Sequence, residues 1–119
     1  MNGEIVNTPT GSYVRCAPDD GLIARDADVL DLMGAFYEMD ASRLLLDEAH
    51  LHPDFFDLKT GLAGAIFLKL TNYRVKTAVL ANLANIQSKR FQELIYESNK
   101  GKQINFFNDL TKAEQWLTE

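Results

Sequence analysis

A chain of 119 residues with 46% hydrophobic side chains is long enough for one domain with its own core, and too apolar for disorder. Its formal charge of −5 opposes phosphate backbones, and no segment concentrates Lys and Arg enough to reverse that field, so nucleic acid is not an expected partner. The one cysteine, Cys16, can close no internal disulfide, and Met1-Asn2-Gly3-Glu4-Ile5 carries no leader-like basic and apolar regions; with no apolar run long enough to span a membrane, these features point to a cytoplasmic, membrane-free setting.

In chain order, residues 4–7 and 12–17 read as two short strands around Thr8-Pro9-Thr10-Gly11, whose Pro and Gly make a hairpin turn. Pro18-Asp19-Asp20-Gly21 is a further loop. A first helix is expected from Asp26, as N-cap, to about Asp40, with Val29, Leu32, Met33, Phe36 and Tyr37 on one apolar face. Residues 43–47 form a strand whose run Leu44-Leu45-Leu46 suits burial on both faces. Residues 48–59 are a polar-aromatic connection, with Pro53 placed to open a single helical turn.

A second helix is expected over 61–72 with Thr60 as N-cap and Leu62, Ile66 and Leu70 inward; Gly61 and Gly64 leave its first turn bare for close packing. Residues 75–81 are a strand, and a helix follows from Ser88, with Phe91, Leu94, Ile95 and Ser98 inward and Gly101 ending it at positive φ. Residues 103–107 form the last strand. The last helix starts at Thr111, which pairs with Glu114 in a capping box, and docks through Trp116 and Leu117. The order ββαβαβαβα predicts an α/β fold: a mixed, mostly parallel sheet of about five strands, an N-terminal hairpin followed by βα units, with about four helices. Ligands on such sheets gather at the C-terminal strand ends, where residues 48–59, 82–86 and 108–109 lie.

The segment Asp57-Leu58-Lys59-Thr60-Gly61-Leu62-Ala63-Gly64, behind a buried strand and an acidic loop, resembles the STAS fold of bacterial anti-sigma-factor antagonists and of sulfate-transporter tails. In those proteins the loop reads Asp-Ser-Ser-Gly-Leu and a partner kinase phosphorylates the second Ser. Aligned on Gly61-Leu62, the resemblance puts Thr60 at the phosphorylated position, with Leu58 and Lys59 where the antagonists carry Asp and Ser. The whole chain is more similar still to a family of stand-alone bacterial proteins of unknown function. The shared phrases are residues 54–64, Asn72-Tyr73-Arg74-Val75-Lys76 and Ile95-Tyr96-Glu97-Ser98-Asn99-Lys100-Gly101.

Thr60 is either a plain helix cap or a phosphate acceptor at a helix N-terminus, where free N–H groups favour an anion. Glu48, His50, His52, Asp54 and Asp57, with Asp47, could hold a ligand or run acid–base chemistry, or be a solvated acidic loop. Two histidines without a usable cysteine fit no known ligand spacing, so neither metal nor cofactor is expected. Of Phe55 and Phe56, one could stand exposed as a partner anchor, or both could close the core beneath the loop. Cys16, with no activating neighbour in sequence, reads as a buried, inert thiol. Nucleophile-elbow, phosphate-loop and dinucleotide motifs are absent from the sequence.

The leading expectation is a regulatory, protein-binding module that docks through Phe55, Phe56, Asp57, Lys59, Thr60 and Gly61 and the helix after them, with another protein as partner and homodimerisation compatible. The alternative is a small enzyme or ligand-binding protein using Glu48, His50, His52, Asp54 and Asp57.

Overall fold

Period-two alternation builds a sheet that is buried on two sides. In the computed structural model, which describes residues 1–39 and 41–119, the strands β1 (Glu4–Thr8), β2 (Gly11–Arg15), β3 (Arg43–Asp47), β4 (Lys76–Leu80) and β5 (Ile104–Phe107) lie side by side in that order. β1 and β2 are antiparallel, and β2 to β5 are parallel, as expected for a mixed α/β sheet. Leu44, Leu45 and Leu46 are all 0% exposed. Leu44 and Leu46 join one core with Val14, Val79 and Phe106, whereas Leu45 joins a second with Tyr13 and Ala78.

Each parallel strand is added on the same side of the last. With one crossover hand, that progression places every crossover helix on one face. α1 (Asp26–Met33), α2 (Leu62–Asn72) and α3 (Lys89–Lys100) accordingly bury Val29, Leu32, Ile66, Leu70 and Phe91 in the first core. The second face is left to α4 (Leu110–Leu117), which covers it with Ala113 and Leu117.

Polar ties fix α4 there. The Tyr13 hydroxyl donates to Glu114 Oε2 at 2.5 Å, and Lys76 Nζ donates to the Trp116 carbonyl at 2.5 Å. The hydroxyls of Thr10 and Thr118 are 2.6 Å apart. Burial, then the Glu114 carboxylate, pushes the Tyr13 hydroxyl's pKa above its ordinary value, so the group stays a donor.

Several local expectations change. The N-cap of α1 is Arg25, not Asp26; Asp28 Oδ2 accepts from the amides of Ala24 and Arg25 at 2.9 and 3.0 Å. The α-helix ends at Met33 and tightens to a 3₁₀ segment, Gly34–Glu38, whose three-residue turns rotate Tyr37 out to 96% exposure while Phe36 stays on the core. The expected end near Asp40 lies outside the described residues. Asp109 rather than Thr111 caps α4, accepting from the Thr111 amide at 2.8 Å, since the helix starts at Leu110 and Thr111 lies within it; Glu114 is engaged by Tyr13 instead. Ser88 caps α3 as expected, accepting from Phe91 N at 3.2 Å. Gly101 ends α3 in extended backbone, at φ −91°, not at positive φ.

α2 ends without a glycine. Arg74 N–H bonds the Thr71 carbonyl at 3.1 Å and Val75 N–H the Leu70 carbonyl at 2.9 Å, a Schellman pattern with Arg74 in the left-handed position at φ 55°. Arg74→Gly is therefore expected to raise stability by about 0.5–1 kcal/mol in urea denaturation, since glycine adopts that φ without a Cβ penalty.

The loop after β2 ties down the N-terminal segment. Asp20 accepts from the amides of Asn2 (2.9 Å), Gly3 (2.9 Å) and Ala17 (2.8 Å). The Asn2 amide first, with the others, holds its carboxyl below the usual range. A carboxylate with a depressed folded pKa contributes stability above its unfolded pKa of about 3.9 and loses it as pH falls through the folded value. Acid denaturation of Asp20→Asn, followed by circular dichroism, is expected to fall less steeply below about pH 4 than that of the unaltered chain.

Candidate functional site

The connection leaving β3 is not loose. It consists of three short 3₁₀ turns, Glu48–His50, Pro53–Phe56 and Leu58–Thr60. A polar side chain starts each one: Asp47 Oδ1 accepts from Ala49 N at 3.1 Å, His52 Nδ1 from Asp54 N at 3.0 Å, and Asp57 Oδ1 from Lys59 N at 3.1 Å. Between the turns, Leu51 forms a parallel bridge with Ile23, through Ile23 N to the His50 carbonyl (2.7 Å) and His52 N to the Ile23 carbonyl (3.0 Å). Phe55, 0% exposed, plugs the loop into an aromatic cluster, with ring centroids 5.0 Å from Phe56, 5.9 Å from Phe91 and 6.1 Å from Phe67. Phe56 is half-buried against Phe91. Both phenylalanines thus serve the core beneath the loop, Phe55 wholly.

Thr60 is not the N-cap residue of the following helix, although its hydroxyl oxygen meets one first-turn amide. The N-cap is Gly61, at φ +78° and ψ −1°, one residue later than expected. Nothing lies within 4 Å of where a Gly61 Cβ would stand, so the glycine is required by its dihedral alone. The Thr60 hydroxyl faces backwards, 2.7 Å from the Asp54 carbonyl and 2.9 Å from that of Asp57, where its single proton is shared. Its oxygen also receives the Leu62 amide at 3.3 Å. Thr60 is a clip across the last two turns. The expected close packing on the first turn of α2 is also missing: Gly64 is exposed, and a Cβ added to it would meet nothing within 4 Å.

The sequence-predicted residues fall into two groups. Lys59, Thr60 and Gly61 are exposed at the start of α2, beside Gly64 and Leu68, the latter 61% exposed. The sequence reading missed Leu68, though its place one turn beyond Gly64 was a legible signal. The other group does not converge. Glu48 Oε2 accepts from Asn82 N at 3.2 Å and stands between two open hollows of about 400 and 640 Å³ at the strand ends. Leu51, Phe56, Ile86 and Ser88 line the first; Asp47, Asn82, Asn108 and Leu110 line the second. His50, His52 and Asp54 line neither. Among the described residues no group of three or more His, Cys, Asp or Glu could hold a metal. Cys16 is buried, and that burial, then Asp20 nearby, pushes its thiol up to about 11, away from thiolate chemistry.

Compared with protein families, residues 9–117 match the model of a domain of unknown function, DUF4180. No curated protein and no solved structure matches the chain. Among the described residues no helix is long and apolar enough to cross a membrane.

The clip and a cap respond oppositely to a carboxylate. An Asp at an N-cap is neutral or favourable, but at Thr60 it has no proton for the Asp54 and Asp57 carbonyls and sets its charge against them. Urea denaturation is expected to show a loss of about 1 kcal/mol for Thr60→Val, almost none for Thr60→Ser, and a loss at least as large as that of Val for Thr60→Asp.

Proposed function

The chain belongs to the DUF4180 family of domains of unknown function, and within it we propose a bacterial, cytoplasmic interaction module of STAS type that receives a protein partner on the outer face of α2 and the turn before it. The observation that carries this reading is the composition of that face. Among the 11 residues of α2 the only charged side chain is Lys69, and it is engaged with Asp26 at 3.9 Å. Outward stand Gly64, Ala65 and the largely exposed Leu68. α3, on the same side of the sheet, instead exposes Lys89, Arg90, Glu93, Glu97 and Lys100. Both helices bury an inner face, so the amphipathic pattern does not require α2's outer face to be apolar. An uncharged, small-residue surface rimmed by Lys59, Thr60 and Asp57 suits a partner that covers it.

The resemblance of residues 57–64 to the STAS phosphorylation loop supports a regulatory role for Thr60. A phosphate on its oxygen would remove the proton that clips the Asp54 and Asp57 carbonyls and add roughly two negative charges at the edge of the docking face. Modification would thereby loosen the turn and alter the surface together. The ligand-binding reading rests on Glu48 alone, between its two hollows, because the histidines line neither.

Affinity capture from a native host extract tests the docking face. A protein retained by the unaltered chain and by Tyr96→Asp on α3 is expected to be lost with Leu68→Asp, because a charge would be desolvated in the interface. Retention of the same partners by all three chains would remove α2 as the docking surface.

A further inference from the structure

The two edges of the sheet are treated differently. In β5 three of the outward-facing backbone groups are engaged by α3: Asn99 Oδ1 accepts from Phe106 N at 2.7 Å, Asn99 Nδ2 donates to the Phe106 carbonyl at 3.4 Å, and the Ser98 hydroxyl donates to the Ile104 carbonyl. Asn99 presents one amide to this edge as a neighbouring strand would, and so closes it to further pairing.

β1 has no such cover. It pairs with β2 in a register that sets Val6 opposite Tyr13 and Thr8 opposite Gly11. The Ser12 carbonyl accepts from Arg43, on the β3 side, so Ser12 and Val14 face β3 while Gly11, Tyr13 and Arg15 bond β1 through Thr8, Val6 and Glu4. The N–H and C=O of Ile5 and Asn7 therefore point away from the sheet, and among the described residues neither has a partner there. The edge carries none of the usual protection by Lys, Pro or a bulge. The Asn7 side chain is drawn back over the hairpin, accepting from the Ser12 hydroxyl at 2.6 Å.

We propose that this edge is a self-association site, where β1 of a second copy adds antiparallel about a two-fold axis through Val6 to make one continuous sheet. A second copy is the occupant because the strand is self-complementary in one register. Setting Ile5 opposite Asn7 of the partner copy uses every outward N–H and C=O of both strands, in four hydrogen bonds. It faces Glu4 with the neutral Thr8 and keeps the two Glu4 carboxylates apart. A shift one way brings Glu4 against Val6 and leaves Asn7 beyond the paired strand; a shift the other way faces Ile5 with Pro9, which has no N–H. The surface is separate from the outer face of α2, so a dimer would present two such faces.

Sedimentation analysis of the full chain over a concentration series tests this. The unaltered chain is expected to show a reversible monomer–dimer equilibrium. Asn7→Pro removes one outward donor while leaving the β1–β2 bonds in place, and is expected to weaken association about tenfold or more. Val6→Cys gives a check that does not depend on the proline variant folding. Non-hydrogen-bonded partners have Cα atoms about 4.5 Å apart, within disulfide reach, so oxidation is expected to cross-link Val6→Cys as a dimer and leave Glu4→Cys uncross-linked. A chain monomeric at every concentration, equal association of Asn7→Pro, or equal cross-linking of the two cysteine variants would each overturn the proposal. Protection of the Ile5 and Asn7 amides only on adding an unrelated extended peptide would also overturn it, in favour of a foreign strand.

Discussion

A sheet that adds its parallel strands in one direction acquires all its crossover helices on one face, and the other face must then be buried by whatever chain remains. Here that is α4, eight residues long. Without it Tyr13, Leu45 and Ala78, each 0% exposed, would face water. Fully burying a side chain of the size of Leu or Val is worth about 1.5–3 kcal/mol, so this face is a substantial part of the fold's stability. A short helix has little intrinsic stability and must be held by tertiary contacts. The ties supply them along its length: Asp109 caps its start, Glu114 accepts the Tyr13 hydroxyl's hydrogen bond at its middle, and Trp116 and Thr118 meet Lys76 and Thr10 at its end. Lys76 also lies over the Trp116 ring, 4.6 Å from its centroid. Burial there holds its ammonium below the ordinary pKa.

On the opposite face the same demand for burial shapes the candidate site. The long connection after β3 would be costly to order if its backbone hung in water. It is ordered because Phe55 belongs to the core that α2, α3 and β5 share, and because each tight turn has its own polar initiator. Asp47, His52 and Asp57, which looked available for chemistry, are engaged in backbone structure. This leaves the exposed ground to Lys59, Thr60, Gly61, Gly64 and Leu68, where the chain presents shape and apolar surface, with few charges.

The elements were legible because their signals are local. Leu44-Leu45-Leu46, Ser88 and the inward spacing of Leu62, Ile66 and Leu70 each depend on residues within a turn or a strand, and all stand where the periodicity put them. The misplaced details share a different character. Thr60 and Thr111 both look like caps, because a hydroxyl before an apolar run has that form in any sequence. Thr60 was drawn off by two carbonyls brought near it by the preceding turns, and Thr111 lost its partner Glu114 to Tyr13, 101 residues away. The exposed Tyr37 was lost to a change of helix pitch after Met33, which moves a residue around the axis without altering the apolar spacing.

The sequence by itself determined the α/β class, the order of elements, the two-sided burial of β3 and the loop beside α2, since hydrophobic period and turn chemistry act over a few residues. Only the tertiary structure decided which polar groups were already engaged, which helix covers which face and which sheet edge stays open. Asn99 closes β5 because the end of α3 passes alongside it, and Ile5 and Asn7 face outward because β1 is the last strand of the sheet. A hydrogen-bonding group's availability depends on what the folded chain brings within about 3 Å of it, and most of those neighbours are distant in sequence.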